Sequence, residues 1–224
     1  MIILLFGPPG CGKGTQATFI AQRYHIPAIS TGEMFRAECK AGTALGRLAC
    51  SILKSGGLVG DDIVNQIVAG RIQQPDCASG FLLDGYPRTL EQARFLDGLL
   101  KERGLPEPLA IHLDVPRQAL VSRITARRQC GTCGHIYNVL SQPPKVPEIC
   151  DVDGAPLIHR EDDTEAVILA RLRAYEQATG PVIAHYNHAG CCRVDGTGTP
   201  ERVSAQIERL LSSRGARELA GIVR

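Results

Sequence analysis

Short, almost wholly apolar runs alternate along this chain with longer segments in which apolar residues recur every three or four positions. The runs Ile2–Phe6, Ala28–Ser30, Phe81–Leu83, Leu109–Val115 and Cys191–Val194 predict five β-strands. Unbroken apolar runs are what strands covered on both faces require. Helical patterns lie between them over Lys13–Tyr24, Leu90–Arg103 and Ala119–Arg128. Two more run from about Glu165 to Gln177 and from about Glu201 to Leu211. Strands alternating with helices predict an α/β fold, a five-stranded parallel sheet with helices on both faces, whose ligands sit beyond the carboxyl ends of the strands.

Two segments break the rhythm. Residues 31–60 form a helical excursion that opens on Thr31-Gly32-Glu33-Met34-Phe35-Arg36 and closes on Gly56-Gly57-Leu58-Val59-Gly60. From residue 129 to about 161 the chain is rich in Cys, Gly and Pro, with little helical periodicity. A structureless stretch of ~30 residues inside a compact domain needs something besides an apolar core to order it. The tail from Ser212 is expected to be short and frayed.

Composition excludes more than it selects. The chain has 224 residues, 44% hydrophobic and 21% charged, which suits one globular domain with room for an insertion. A formal net charge of +2, few aromatics and no Trp argue against a nucleic-acid-coating protein or a membrane-surface binder. No run reaches the ~18 apolar residues of a spanning helix, and nothing resembles a secretory signal. The nine cysteines are therefore expected to be thiols or metal ligands, not disulfides, and the compartment cytoplasmic. Cys11 and the pair Cys191-Cys192 read as core residues.

The first strand leads into Gly7-Pro8-Pro9-Gly10-Cys11-Gly12-Lys13-Gly14-Thr15, a glycine followed by four residues and then Gly-Lys. Such a loop turns tightly, points successive N–H groups at an anion and adds the positive end of the next helix. Lys13 supplies a mobile charge for terminal phosphates, and Gly10 to Thr15 form the candidate cradle. The hydroxyl that normally follows the lysine directly is displaced one place, to Thr15.

Further chemistry is spaced along the chain. Phe81-Leu82-Leu83-Asp84-Gly85-Tyr86-Pro87-Arg88-Thr89 is an apolar strand ending in an acid, placed to face a nucleotide's Mg²⁺ through water, with Arg88 in reach of a phosphate. Arg123 and Arg127, four apart, are expected on one helix face. Arg160 and Arg171 follow the insertion. Inside it, Cys130-Gly131-Thr132-Cys133 and, after an intervening loop, Cys150-Asp151-Val152-Asp153 are two ligand pairs with two-residue spacers. This matches a tetrahedral zinc knuckle, with Asp153 as the fourth ligand. Four protein ligands leave no open position, so the ion would be structural.

Together these motifs resemble an adenylate kinase of the long-lid, zinc-containing bacterial type, over essentially residues 1 to 211. The resemblance rests on Gly7–Thr15, Thr31-Gly32 with Arg36, Leu58-Val59, Asp84–Thr89, Gln92, Arg123 with Arg127, the Cys130/Cys133/Cys150/Asp153 set and Arg160-Glu161-Asp162-Asp163. It implies a monomeric P-loop kinase converting ATP and AMP to two ADP with Mg²⁺. Its core would be 1–30, 61–126 and 165–211, its AMP-binding flap 31–60, its zinc-containing lid 127–164 and its tail 212–224. Lys13, Arg88, Arg123, Arg160 and Arg171 would surround the transferring group. Thr31, Gly32, Arg36, Gly57, Leu58, Val59, Gly85, Arg88, Gln92, Arg160 and Arg171 would bind AMP. Ile136 and Tyr137 would help cover the ATP adenine, with Gly198 also on the ATP side, and Arg127 would stack near the adenine or contact the ATP phosphates.

Two rivals remain at this level. A uridylate or cytidylate kinase shares the first loop and Asp84–Arg88 but usually has a short lid. A zinc-knuckle binding module with a nucleotide switch would need a basic run near the cysteines, and the sequence has none.

Overall fold

The computed structural model describes residues 1–187 and 190–221, with side chains described as far as residue 213. Its centre is a five-stranded parallel sheet of β1 (Ile2–Phe6), β2 (Ala28–Ser30), β3 (Phe81–Asp84), β4 (Leu109–Asp114) and a last edge strand, Cys192–Asp195. Strand order is β2-β3-β1-β4 and then the edge strand, with Leu4 opposite Leu83 on one side and Ala110 on the other. All five residues of β1 are buried, as the central position of an unbroken apolar run demands. The expected strands are all present: β3 is one residue longer, β4 one residue shorter, and the edge strand is shifted by one.

Helices α1 (Lys13–Tyr24), α2 (Thr31–Ala41), α3 (Ala44–Ser55), α4 (Asp61–Arg71), α5 (Leu90–Glu102) and α6 (Arg117–Thr125) precede the insertion. After it come α7 (Glu165–Ala178), α8 (Gly180–Asn187) and α9 (Pro200–Gly221). They divide the apolar residues into two cores, one on each sheet face: Phe6, Phe81, Leu83, Leu96 and Tyr186 belong to one, Ile3, Leu5, Ile111, Leu113 and Ile168 to the other. Alternate residues of β1 thus feed opposite faces, the two-residue period of a strand expressed as two layers.

Four expectations need correction. The helix expected over Ala119–Arg128 ends at Thr125. Arg127 begins the next strand, β5 (Arg127–Cys130), so it shares no helix face with Arg123. The competing interaction is antiparallel pairing of β5 with β6 (Ile136–Asn138) and β7 (Leu157–Ile158), a three-stranded sheet that leaves the edge strand of the main sheet as β8. The last helix runs on to Gly221, because the segment after Leu211 lacks proline and continues the helical pattern; residues 222–224 of the expected tail lie outside the described residues. Cys39 and Cys50 form a disulfide joining α2 to α3, with Cα atoms 5.6 Å apart. The helices cross so closely there that a Cβ on Gly46 would fall 2.1 Å from the Glu38 carbonyl oxygen, and this proximity brings the two thiols together. Finally, Cys191 and Cys192 are only partly buried, against opposite cores, whereas Cys11 is buried as expected.

Candidate active site

Strand order reverses direction at β1, so a crevice opens at its carboxyl end, and the loop Gly7–Gly12 fills the mouth of that crevice. Gly10 has φ 81° and a Cβ there would meet Ile124 Cγ1 at 2.5 Å, so only glycine lets the loop pack on α6. Gly12, at φ 98°, turns the chain into α1 and offers no side-chain cap, which leaves the first N–H groups of α1 directed at the cleft. Lys13 Nζ donates to Gly7 O at 2.7 Å and to Pro8 O at 3.1 Å, holding the ammonium across the loop.

The cleft has a volume of about 1070 Å³. Its lining brings together Gly10–Thr15, Gly32, Arg36, Gly57, Leu58, Asp84, Gly85, Arg88, Arg123, Arg127, Ile136, Tyr137, Arg160, Arg171 and Gly198. Residues from nine separate stretches of sequence therefore converge on one volume, large enough for more than one nucleotide-sized ligand. Three expected AMP-site residues stand behind its wall. Thr31 donates its hydroxyl to Gly85 O at 2.9 Å, Val59 packs in the core, and Gln92 accepts from the Arg88 N–H at 2.7 Å. Asp61 in turn accepts from Gln92 and from Thr89, each at 2.7 Å, so the segment carrying Arg88 is anchored from α4. Tyr137 turns its hydroxyl away from the cleft, toward Cys150 at 3.5 Å, while accepting from the Asp151 N–H at 2.7 Å. Arg123 donates to Gly196 O at 2.8 Å and Thr197 O at 3.1 Å, which places it against the loop before α9.

The remaining arginines form a dense group. Burial pulls the Arg160 guanidinium down to about 10, and the nearby charges of Arg127 and Arg36 pull the same way. Arg171 is likewise brought down to about 10 by burial, with Arg127 and Arg88 repelling it and Asp162 opposing. Arg88 is lowered chiefly by burial, Asp84 opposing and Arg36 adding repulsion. Guanidinia this low still carry full charge at neutral pH, so several like charges are held close together in a partly desolvated site. That costs free energy unless anions answer it.

Carboxylates supply part of the answer, and reasoning from the sequence assigned them no role. Glu33 accepts from Arg36 at 2.7 Å and from Arg160 at 2.5 Å. Burial works against its ionisation, but the hydrogen bond and charge of Arg36, with Arg160 beyond, hold its carboxyl below the usual range. Asp162 pairs with Arg171 at 2.9 Å and Asp163 with Arg127. Gln129 completes the group, accepting from Arg160 at 2.5 Å. The signal was present: Glu33 lies three residues before Arg36, one helix turn, and Asp162-Asp163 stands beside Arg160.

One further buried group is unusual. Gln16 is 2% exposed and its Oε1 has no hydrogen-bond partner, the sole such side-chain atom among the described residues. An unpaired buried acceptor costs about 1–3 kcal/mol.

In the insertion, the ligand atoms of Cys130, Cys133, Cys150 and Asp153 all lie within 4.8 Å of one another. Cys133 and Cys150 sulfurs are 3.6 Å apart, and Cys130 Sγ is 3.3 Å from Asp153 Oδ1. A tetrahedral Zn²⁺ with bonds of about 2.3 Å to sulfur needs edges of about 3.8 Å, so the spacing fits. The N–H groups of Thr132 and Cys133 donate to Cys130 Sγ, and that of Val152 to Cys150 Sγ, each at 3.4 Å, as turns that present thiolate to a cation do.

A doubly wound sheet carrying a glycine-rich anion loop at its switch point, ringed by arginines, defines a P-loop phosphate-handling protein. The family model described as Adenylate kinase matches residues 5–191. The adenylate kinase of Anaeromyxobacter sp. (strain Fw109-5) is 45% identical over 214 residues, covering 95% of this chain and 100% of its own. That of Moorella thermoacetica is 47% identical over 212 residues, 94% of this chain and 98% of its own, and that of Thermoanaerobacter sp. (strain X514) 43% over 216, covering 96% and 100%. The chain belongs to the adenylate kinase family.

Proposed function

We propose that this protein transfers the terminal phosphoryl group of ATP reversibly to AMP, giving two ADP, in a reaction that uses Mg²⁺. The observation that carries the reading is the group of charged, partly desolvated guanidinia facing the phosphate loop. Phosphoryl transfer asks a protein for alignment and for charge placed where negative charge spreads, and little covalent chemistry. Lys13 and the N–H groups of the loop hold the donor phosphates. Arg36 and Arg88 hold the AMP phosphate, with Arg88, Arg123, Arg160 and Arg171 around the transferring group. Asp84 is the residue that would face the Mg²⁺ of the incoming nucleotide, which would supply charge neutralisation there.

A coupled assay offering AMP, CMP, UMP and GMP in turn tests the activity, and AMP is the expected acceptor; preference for CMP or UMP would favour the related kinases. Within that assay, Arg88→Ala is expected to raise the KM for AMP and reduce turnover while ATP binding stays largely intact. Unchanged AMP kinetics would reduce Arg88 to a wall residue.

The same reading divides the chain into a core, an AMP flap (31–60) and a lid (127–164), in a cytoplasmic monomer. A separate small core of Cys130, Tyr137, Cys150 and Leu157 supports treating the lid as one body. Among the described residues no helix is long and apolar enough to cross a membrane. The lid meets the rest of the molecule through polar contacts, both exposed, Lys54 with Glu161 at 2.9 Å, and partly buried, Arg160 with Glu33 at 2.5 Å and Asp162 with Arg171 at 2.9 Å, and through Ile136, whose Cδ1 would lie 3.3 Å from a Cβ at Gly14. The exposed Lys54–Glu161 pair exchanges readily with water. A bisubstrate mimic carrying both adenosines is expected to shorten the distance between labels in lid and core. A distance unmoved at saturation would make the insertion a fixed ornament.

A further inference from the structure

Gln16 directly follows the phosphate loop, at the start of α1, and its side-chain amide reaches across to the far end of the chain. Its Nε2 donates to the carbonyl of Pro200 at 3.0 Å, across 184 residues of sequence. A carbonyl can only accept, so this contact fixes the amide nitrogen toward Pro200 and leaves Oε1 as the buried oxygen with no partner. Packing alone would be served better by methionine, which has similar length and no oxygen to strand.

Pro200 closes the short loop between β8 and α9, and that loop is held at nearly every carbonyl. Arg123 takes those of Gly196 and Thr197, the N–H of Val203 takes Thr199, and Gln16 takes Pro200. Gly198, on the cleft wall, lies between the two anchors. One anchor comes from α6, the other from the helix that begins in the phosphate loop itself.

We propose that Gln16 is a positioning residue that sets the loop between β8 and α9, which carries Gly198 on the cleft wall, at a fixed distance from the phosphate loop, so that the base and phosphates of the donor nucleotide are held in register. This rests on the ATP-dependent activity proposed above. Gln16 touches no reacting atom in this role; it acts through the loop carrying Gly198. Loss of the amide therefore affects recognition of the donor and leaves the acceptor side, built on α2 and the segment after β3, unaltered.

Steady-state kinetics of Gln16→Met and Gln16→Leu, each in the full chain, test it. In both, the KM for ATP is expected to rise about three- to ten-fold, the span of one lost hydrogen bond, with kcat within about twofold and the KM for AMP unchanged. Preference for ATP over inosine triphosphate, whose base lacks the exocyclic amine, is expected to fall alongside. Leucine, smaller than methionine and equally without a donor, reads the lost amide even if the methionine variant fails to fold. A folded variant with wild-type KM for ATP and wild-type discrimination overturns the proposal, as does a lowered melting temperature with no change in donor kinetics. A wild-type protein unable to phosphorylate AMP would instead overturn the functional reading beneath it.

Discussion

Replacing Lys13 with methionine is expected to lower turnover on the order of 10³-fold or more while leaving the fold intact. The ammonium spans the mouth of the phosphate loop, bonded to Gly7 O and Pro8 O, and is half-buried among the cleft residues. Methionine fills the same length without charge or donor, so it removes the one loop group able to follow charge as it shifts between donor and acceptor. Stability should change little. The two lost hydrogen bonds are worth about 0.5–1.5 kcal/mol each, and removing a cation from an arginine-rich cleft relieves repulsion that offsets part of that. Circular dichroism and a melting curve beside the assay separate the two effects. A Lys13→Met enzyme with near-full activity would sink the assignment.

Zinc removal is the second large effect. Stoichiometric metal, one ion per chain, is expected from elemental analysis of replete protein. Stripping it with a chelator is expected to unfold residues 127–164 while the main sheet persists. The insertion's core consists of Cys130, Tyr137, Cys150 and Leu157, with Ala155 against it. Two of these are ligand cysteines, which leaves Tyr137 and Leu157 as its substantial apolar burial, each worth about 1.5–3 kcal/mol. So small an apolar cluster cannot by itself offset the entropy of ordering this backbone, whereas a structural zinc site contributes folding free energy directly. Limited proteolysis or amide exchange confined to 127–164 in stripped protein, reversed by added Zn²⁺, is the expected pattern. Protein that holds no stoichiometric metal, or whose insertion stays protected without it, refutes the structural role. A large rate loss with the insertion still folded would move the ion into the chemistry.

The main sheet was legible because its strands are unbroken apolar runs, a pattern that burial on both faces leaves little freedom to vary. The phosphate loop and the metal quartet were legible because their spacing is set by local geometry: tight turns in one, two-residue spacers in the other. Arg127 shows where local reading stops. Its segment satisfies a helical period, but pairing with Ile136–Asn138 and Leu157–Ile158, contacts distant in sequence, turned it into strand. The disulfide between Cys39 and Cys50 depends on how closely α2 and α3 cross at Gly46, which no spacing of cysteines announces. Partners such as Glu33 to Arg160, 127 residues apart, and Gln16 to Pro200 are likewise products of topology.

The carboxylates that hold the cleft arginines bear on how this site trades its ligands. Arg36, Arg127, Arg160 and Arg171 each have an oxygen partner from Glu33, Asp162 or Asp163. On the functional reading, an incoming phosphate therefore performs an anion exchange, replacing one set of oxygens by another instead of discharging bare cations. The net affinity is the small difference between two strong interactions, and the same difference governs departure. A reversible reaction has no fixed product, since each nucleotide is in turn what must be held and what must be released. Resident carboxylates keep both directions open, because the guanidinia have somewhere to return when a nucleotide leaves.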